Sequence, residues 1–68
     1  MPYVGRLGFN YRIIRWDRTG RNIVAEPCGV DDLVFARACY EIAVKRWPDD
    51  PITLQQGARI ISKNRDDL

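Results

Sequence analysis

The sequence predicts an α+β domain in which two β-hairpins form a small antiparallel-rich sheet and one amphipathic helix packs on one face, in ββαββ order. Aromatic and β-branched residues alternate on both sides of an Asp-Arg-Thr-Gly turn near the start of the chain. Apolar residues recur with helical spacing through the middle, and two short apolar runs flank a Gln-Gly pair near the end. Since a lone helix and a small sheet each need their apolar face covered, we expect a single domain over residues 1–68.

The first hairpin is predicted to consist of strands at residues 11–16 and 22–26. The first strand reads Tyr-Arg-Ile-Ile-Arg-Trp, which is rich in strand-forming residues that alternate between two faces. Asp17 suits the first position of a type I turn, and Gly20 suits the left-handed residue that follows it. Pro27 has no backbone N–H, so we expect it to end the second strand.

The central segment predicts a helix from about Asp31 to Trp47. Either Asp31 or Asp32 can accept the unsatisfied N–H groups of the first turn, and Pro48 disfavours helical geometry at the residue before it. At about 100° per residue, the apolar positions form one broad stripe that we expect to face the sheet. These positions are Leu33, Ala36, Cys39, Tyr40, Ala43, Val44 and Trp47.

The second hairpin is predicted to have short strands at residues 52–55 and 59–63. Gln56 and Gly57 lie between them, and glycine tolerates the positive φ of a tight turn. We expect an irregular arm at residues 1–10 and a frayed tail at residues 64–68. The order of the strands in the sheet is left open by the sequence.

The composition is that of a small globular protein with a marginal core. A chain of 68 residues with 46% hydrophobic residues buries a smaller share of its surface than a larger domain does, which favours association with a partner. It has neither a signal-peptide pattern nor an apolar run of membrane-spanning length, so we expect a cytoplasmic protein that does not bind membranes, of bacterial origin.

The two cysteines, Cys28 and Cys39, are expected to be thiols. If Cys39 lies about two turns into a helix that begins near Asp31, the rise of ~1.5 Å per residue places it over ~10 Å from Cys28. That separation exceeds the ~7 Å limit for the Cα atoms of a disulfide. The chain contains no histidine, so we expect no metal site, no cofactor and no base that would activate a cysteine nucleophile.

Positive charge is concentrated in the first hairpin. Residues 1–25 hold five arginines and one aspartate, a net +4, whereas residues 26–68 hold six basic and eight acidic residues, a net −2. Arginines on a β-ribbon can pair with phosphates while an aromatic ring stacks on a base. The candidate nucleic-acid-binding residues are Arg12, Arg15, Trp16, Arg18 and Arg21. The alternative is that the arginines only keep an exposed strand edge and turn soluble, and that Trp16 is a core residue.

The other candidate residues have structural interpretations. Tyr40 and Trp47 share one helix face, as core aromatic residues do. Asp31 with Asp32 and Asp49 with Asp50 are carboxylate pairs at positions where caps and turns favour aspartate. The sequence therefore contains no predicted catalytic residues, and we expect a protein that is not an enzyme.

The layout resembles that of a group of short, uncharacterised bacterial proteins. The shared features are a Tyr-Arg-apolar strand, an aspartate-glycine turn, an acidic helix start and a Gln-Gly-Ala-Arg turn between apolar strands. The last of these corresponds to residues 56–59, and the resemblance spans roughly residues 11–63. The resemblance implies a hairpin-helix-hairpin fold and implies no activity or site residue.

These observations predict a non-enzymatic protein-interaction domain whose partner is another protein or a second copy of the chain. Self-association is expected through an exposed edge strand, for which residues 59–63 are the better candidate because they contain two isoleucines. The alternative is a nucleic-acid-binding module that uses the basic first hairpin.

Overall fold

The computed structural model describes residues 10–66, and these form four strands and one helix in ββαββ order. The elements are β1 (Tyr11–Trp16), β2 (Ile23–Val30), α1 (Leu33–Arg46), β3 (Ile52–Gln56) and β4 (Arg59–Lys63). The predicted α+β class and element order are confirmed. Residues 1–9 of the expected irregular arm, and residues 67 and 68 of the expected tail, lie outside the described part.

The four strands form one antiparallel sheet in the order β2-β1-β3-β4. The two hairpins are joined by pairing between β1 and β3, in which Ile13 lies opposite Leu54 and Arg12 opposite Gln55. The strands β2 and β4 are therefore the two edges of the sheet.

The strand β2 is longer than predicted, and the expectation that Pro27 ends it is wrong. The strand continues through Pro27 to Val30. Two register shifts interrupt its pairing with β1, one between Ile13 and Arg15 and the other between Arg15 and Trp16. A proline is compatible with a strand at an edge or at a bulge, because the missing N–H there does not break the ladder.

The helix α1 has a defined cap at each end. Of the two candidate caps, Asp32 is the one used: its Oδ1 accepts hydrogen bonds from the N–H groups of Val34 at 2.8 Å and Phe35 at 3.2 Å. Trp47 is the C-cap, and its N–H donates to the carbonyl oxygen of Ala43 at 2.9 Å. No helix among residues 10–66 is long and apolar enough to cross a membrane.

The core lies between α1 and one face of the sheet. Ile13, Ile52 and Leu54 are fully buried on the sheet, and Ala36 and Ala43 are buried on the helix. The partly buried residues packed around them include Leu33, Cys39, Tyr40, Val44 and Trp47. The predicted apolar stripe of the helix therefore does face the sheet.

The second hairpin turns one residue later than predicted. The strand β3 includes Gln56, and Gly57 has a φ of 59°, in the left-handed region that glycine tolerates. After β4, the side chain of Asn64 accepts from the N–H of Ile52 at 2.7 Å and donates to the carbonyl of Asp50 at 2.9 Å. These bonds attach the first residue of the predicted tail to the start of β3.

Candidate functional site

The structure places Arg12 and Arg15, which are predicted nucleic-acid contacts, on opposite faces of β1. Arg12 lies on the face away from the helix, where its Nε is 3.7 Å from Glu26 Oε1 and its Nη2 donates to the carbonyl of Gly57 at 3.4 Å. Arg15 lies on the helix side and contacts Asp50. The alternation of side chains along a strand causes this separation, so the two guanidinium groups do not form one patch.

Arg15 belongs to a cluster of charged and aromatic side chains at the end of the helix. Its Nε and Nη2 each lie 2.7 Å from Asp50 Oδ2, and its guanidinium carbon lies 4.8 Å from the centre of the Trp47 ring. Arg46 contacts the same ring at 5.5 Å. The Nε of Arg18 is 3.8 Å from Asp50 Oδ1. This cluster fixes β1 against the connection between α1 and β3, a structural role for Asp50 beyond the predicted turn.

The third predicted contact, Trp16, is held within the sheet. Its indole N–H donates to Thr53 Oγ1 at 2.9 Å, and the Thr53 hydroxyl in turn donates to Gln55 Oε1 at 2.8 Å. The Thr53 side chain is fully buried. Because the indole is half-buried and hydrogen-bonded, stacking on a nucleic-acid base would require it to leave this arrangement.

The remaining two predicted contacts, Arg18 and Arg21, lie in the exposed turn of the first hairpin. The turn is organised by Asp17, whose carboxylate accepts hydrogen bonds from the Thr19 hydroxyl at 2.6 Å and the Asn22 amide at 2.7 Å. These bonds hold the pKa of the Asp17 carboxyl well below its usual range, with the bond from Thr19 as the largest cause. The side chain of Arg18 is 78% exposed, although its Nε lies 3.8 Å from Asp50 Oδ1.

Cys28 and Cys39 lie side by side, and the expected separation is wrong. Both are thiols, and their Sγ atoms are 2.9 Å apart. The expected separation counted only the rise along the helix. The chain reverses direction after Val30, so α1 runs back beside β2. Cys39 lies about two turns along the helix and is thereby brought back beside Cys28, which is four residues before the N-cap Asp32.

A cavity of about 220 Å³ borders this cysteine pair. The two thiols line it together with Ile13, Pro27, Ile42, Ala43, Arg46 and Trp47. Most of this lining is apolar, and Arg46 is the charged residue in it.

The outer face of α1 carries exposed apolar side chains that the sequence analysis did not single out. Val34 is 76% exposed, Phe35 67% and Ile42 65%. Phe35, Ala38 and Ile42 have the i, i+3, i+7 spacing of a helix stripe and lie outside the stripe that packs on the sheet. The signal was present in the sequence, because these residues do not belong to the predicted core set although they are apolar.

The acidic pairs have separate contacts. Asp32 caps the helix, while Oδ1 of Asp31 accepts from the backbone N–H of Asn10 at 2.9 Å. Asp50 binds Arg15, and Asp49 is exposed. Within residues 10–66, no three cysteine or acidic side chains are grouped so as to hold a metal ion.

Comparison of the chain with protein-family models, curated proteins and solved structures gave no match. The resemblance to short bacterial proteins therefore stays a prediction.

Proposed function

We propose that this chain is a small, non-enzymatic protein-interaction domain that self-associates through the outer face of its helix. The observation that carries the proposal is the exposure of Phe35 and Ile42, two large apolar side chains on one stripe of α1. Clustered apolar side chains at a surface are typical of an interaction site, whereas single ones are ordinary.

The charges at the helix ends favour a second copy as the partner. Asp31 and Asp32 are at the start of the helix, and Lys45 and Arg46 are at its end. When two such helices pack antiparallel about a two-fold axis, the acidic start of each lies beside the basic end of the other. The pairing is therefore self-complementary in charge.

The apolar stripe is self-complementary in the same arrangement. With the axis beside Ala38, Phe35 of one copy lies close to Ile42 of the second copy, and the reverse contact forms by symmetry. The small side chain of Ala38 permits the helices to approach closely where they cross. In this proposal, the helix face takes the interaction role that we expected of residues 59–63. Those residues form the edge strand β4 and lie outside the contact.

Sedimentation across roughly a hundredfold range of protein concentration tests the proposal. We expect the mass to rise from that of the 7.9 kDa monomer towards twice that value. Phe35→Asp should weaken association by roughly tenfold or more, because it places a charge in the apolar contact. Lys45→Glu should weaken it less, by removing attraction to the acidic helix start.

Ile60→Glu is the matched control, since Ile60 is 41% exposed on the edge strand β4 and lies outside the helix. Association that responds to Ile60→Glu and not to Phe35→Asp would overturn the helix interface and support the edge strand. A constant monomer mass would remove self-association altogether. Oligonucleotide binding that weakens steeply with salt and depends on Arg18 and Arg21 would instead support the nucleic-acid alternative.

A further inference from the structure

We propose that Cys28 and Cys39 form a thiol–disulfide exchange site, which a small organic disulfide of the glutathione type oxidises to an intramolecular bridge. The bridge does not require self-association, because both thiols belong to one chain, although Ile42 belongs both to the cavity wall and to the proposed helix contact. It assigns a covalent modification to two side chains that pack against the core and are not part of the proposed helix contact.

The geometry of the pair favours the bridge. The two Sγ atoms are 2.9 Å apart, and a disulfide bond is about 2.05 Å long, so the sulfurs need to approach by only roughly 0.9 Å. Cys28 lies on β2 and Cys39 on α1, two elements that already pack against the same core. Little of the entropy of closing the loop remains to be lost, since folding has already brought the thiols together.

The cavity provides an approach to the thiols. Both cysteines are half-buried, and both line the cavity of about 220 Å³. Arg46 is one of the residues that line the cavity, and its guanidinium carbon lies 5.5 Å from the centre of the Trp47 ring, which also lines it. A disulfide that carries carboxylates, as glutathione disulfide does, has a cationic partner there.

The exchange proceeds in two balanced steps. The thiolate of one cysteine attacks a sulfur of glutathione disulfide, which forms a protein–glutathione mixed disulfide and releases one glutathione thiolate. The second cysteine, as its thiolate, then attacks the protein sulfur of that mixed disulfide and releases the second glutathione. The two cysteines are oxidised by two electrons, one glutathione disulfide is reduced to two glutathione molecules, and the cysteine protons go to the released thiolates.

The test equilibrates the folded protein with buffers of reduced and oxidised glutathione, followed by acid quenching, alkylation and mass spectrometry. Cleavage after Arg21, Arg37 and Lys45 separates a peptide of residues 22–37 from one of residues 38–45, each with one cysteine. We expect these two peptides to be joined by a disulfide. We expect half of the folded protein to carry the bridge at a ratio of oxidised to reduced glutathione that is roughly tenfold or more lower than the ratio needed by the same chain unfolded in urea.

The matched control is the double variant Cys39→Ala, Glu41→Cys, which keeps the number of thiols and moves one of them by about 200° around the helix to an exposed position. It should give mixed glutathione disulfides in place of the intramolecular bridge. Equal oxidation of the folded and the unfolded chain would overturn the proposal. So would equal bridging in the double variant, or a bridge that joins two copies on a non-reducing gel.

Discussion

The guanidinium of Arg15 contacts a single carboxylate oxygen of Asp50 through two nitrogens, each at 2.7 Å. One partner lies in the central strand β1 and the other in the connection between α1 and β3. The side chains are 28% and 16% exposed, and Trp47 lies against the guanidinium. The pair therefore joins segments distant in sequence while partly shielded from water, where removal of one charge leaves the other poorly solvated.

Asp50→Asn should lower the free energy of unfolding by about 2 kcal/mol, because it leaves the Arg15 charge without its carboxylate. For a chain of this size the melting temperature should fall by about 10 °C. Asp49→Asn is the matched control, since Asp49 is the exposed neighbour, and its effect should stay within about 0.5 kcal/mol. Thermal unfolding by circular dichroism measures both variants. Equal losses would contradict the structural role of Asp50.

Thr53→Val should also destabilise the domain, by about 2 kcal/mol, although valine has nearly the same shape as threonine. The lost hydroxyl accepts from the Trp16 indole and donates to Gln55, so two polar groups lose their partner at a fully buried position. Urea unfolding of Thr53→Val, Trp16→Phe and the double variant gives the coupling free energy between the two side chains. We expect a coupling of about 1 kcal/mol, and additive effects would show that the indole–hydroxyl bond contributes nothing.

The carboxyl of Asp17 should remain ionised at pH values where an ordinary aspartate is protonated, because hydrogen bonds from Thr19 and Asn22 lower its pKa. Since the folded pKa lies below the unfolded value, its contribution to stability is present above about pH 4 and is lost as the pH falls. Carbon-detected NMR titration of the Asp17 carboxyl measures this pKa.

Thr19→Ala tests the cause of the lowered pKa of Asp17. The hydroxyl of Thr19 makes the shortest bond to that carboxylate, at 2.6 Å, and its loss should raise the pKa towards the ordinary aspartate value. An unchanged titration midpoint of the Asp17 carboxyl in this variant would show that the bond from Thr19 is not the main cause of the lowered pKa.

The elements of the fold could be predicted because their signals are local. Side-chain alternation indicated β1, helical spacing indicated α1, and the Gln-Gly pair placed the second turn within one residue of its position. The helix stripe that packs on the sheet was predicted for the same reason. The end of β2 was predicted wrongly, because the effect of Pro27 depends on whether its strand is central or at an edge.

The candidate sites depended on contacts that no local pattern encodes. Alternation along β1 already separated Arg12 from Arg15, but only the packed chain shows that Glu26 and Asp50 engage them. Phe35 lies outside the predicted core stripe, but its 67% exposure depends on how the helix packs on the sheet. Apolar composition alone does not distinguish a side chain in the core from one at the surface.

The sequence by itself determined the number, type and order of the elements, together with the helix face that meets the sheet, since all of these follow from periodicity and turn chemistry within short segments. The tertiary structure alone decided the strand order β2-β1-β3-β4 and the contact between Cys28 and Cys39. Both depend on pairing and chain reversal between segments far apart along the chain. Such long-range contacts are selected by the packing of the whole core, and no local window of the sequence contains that information.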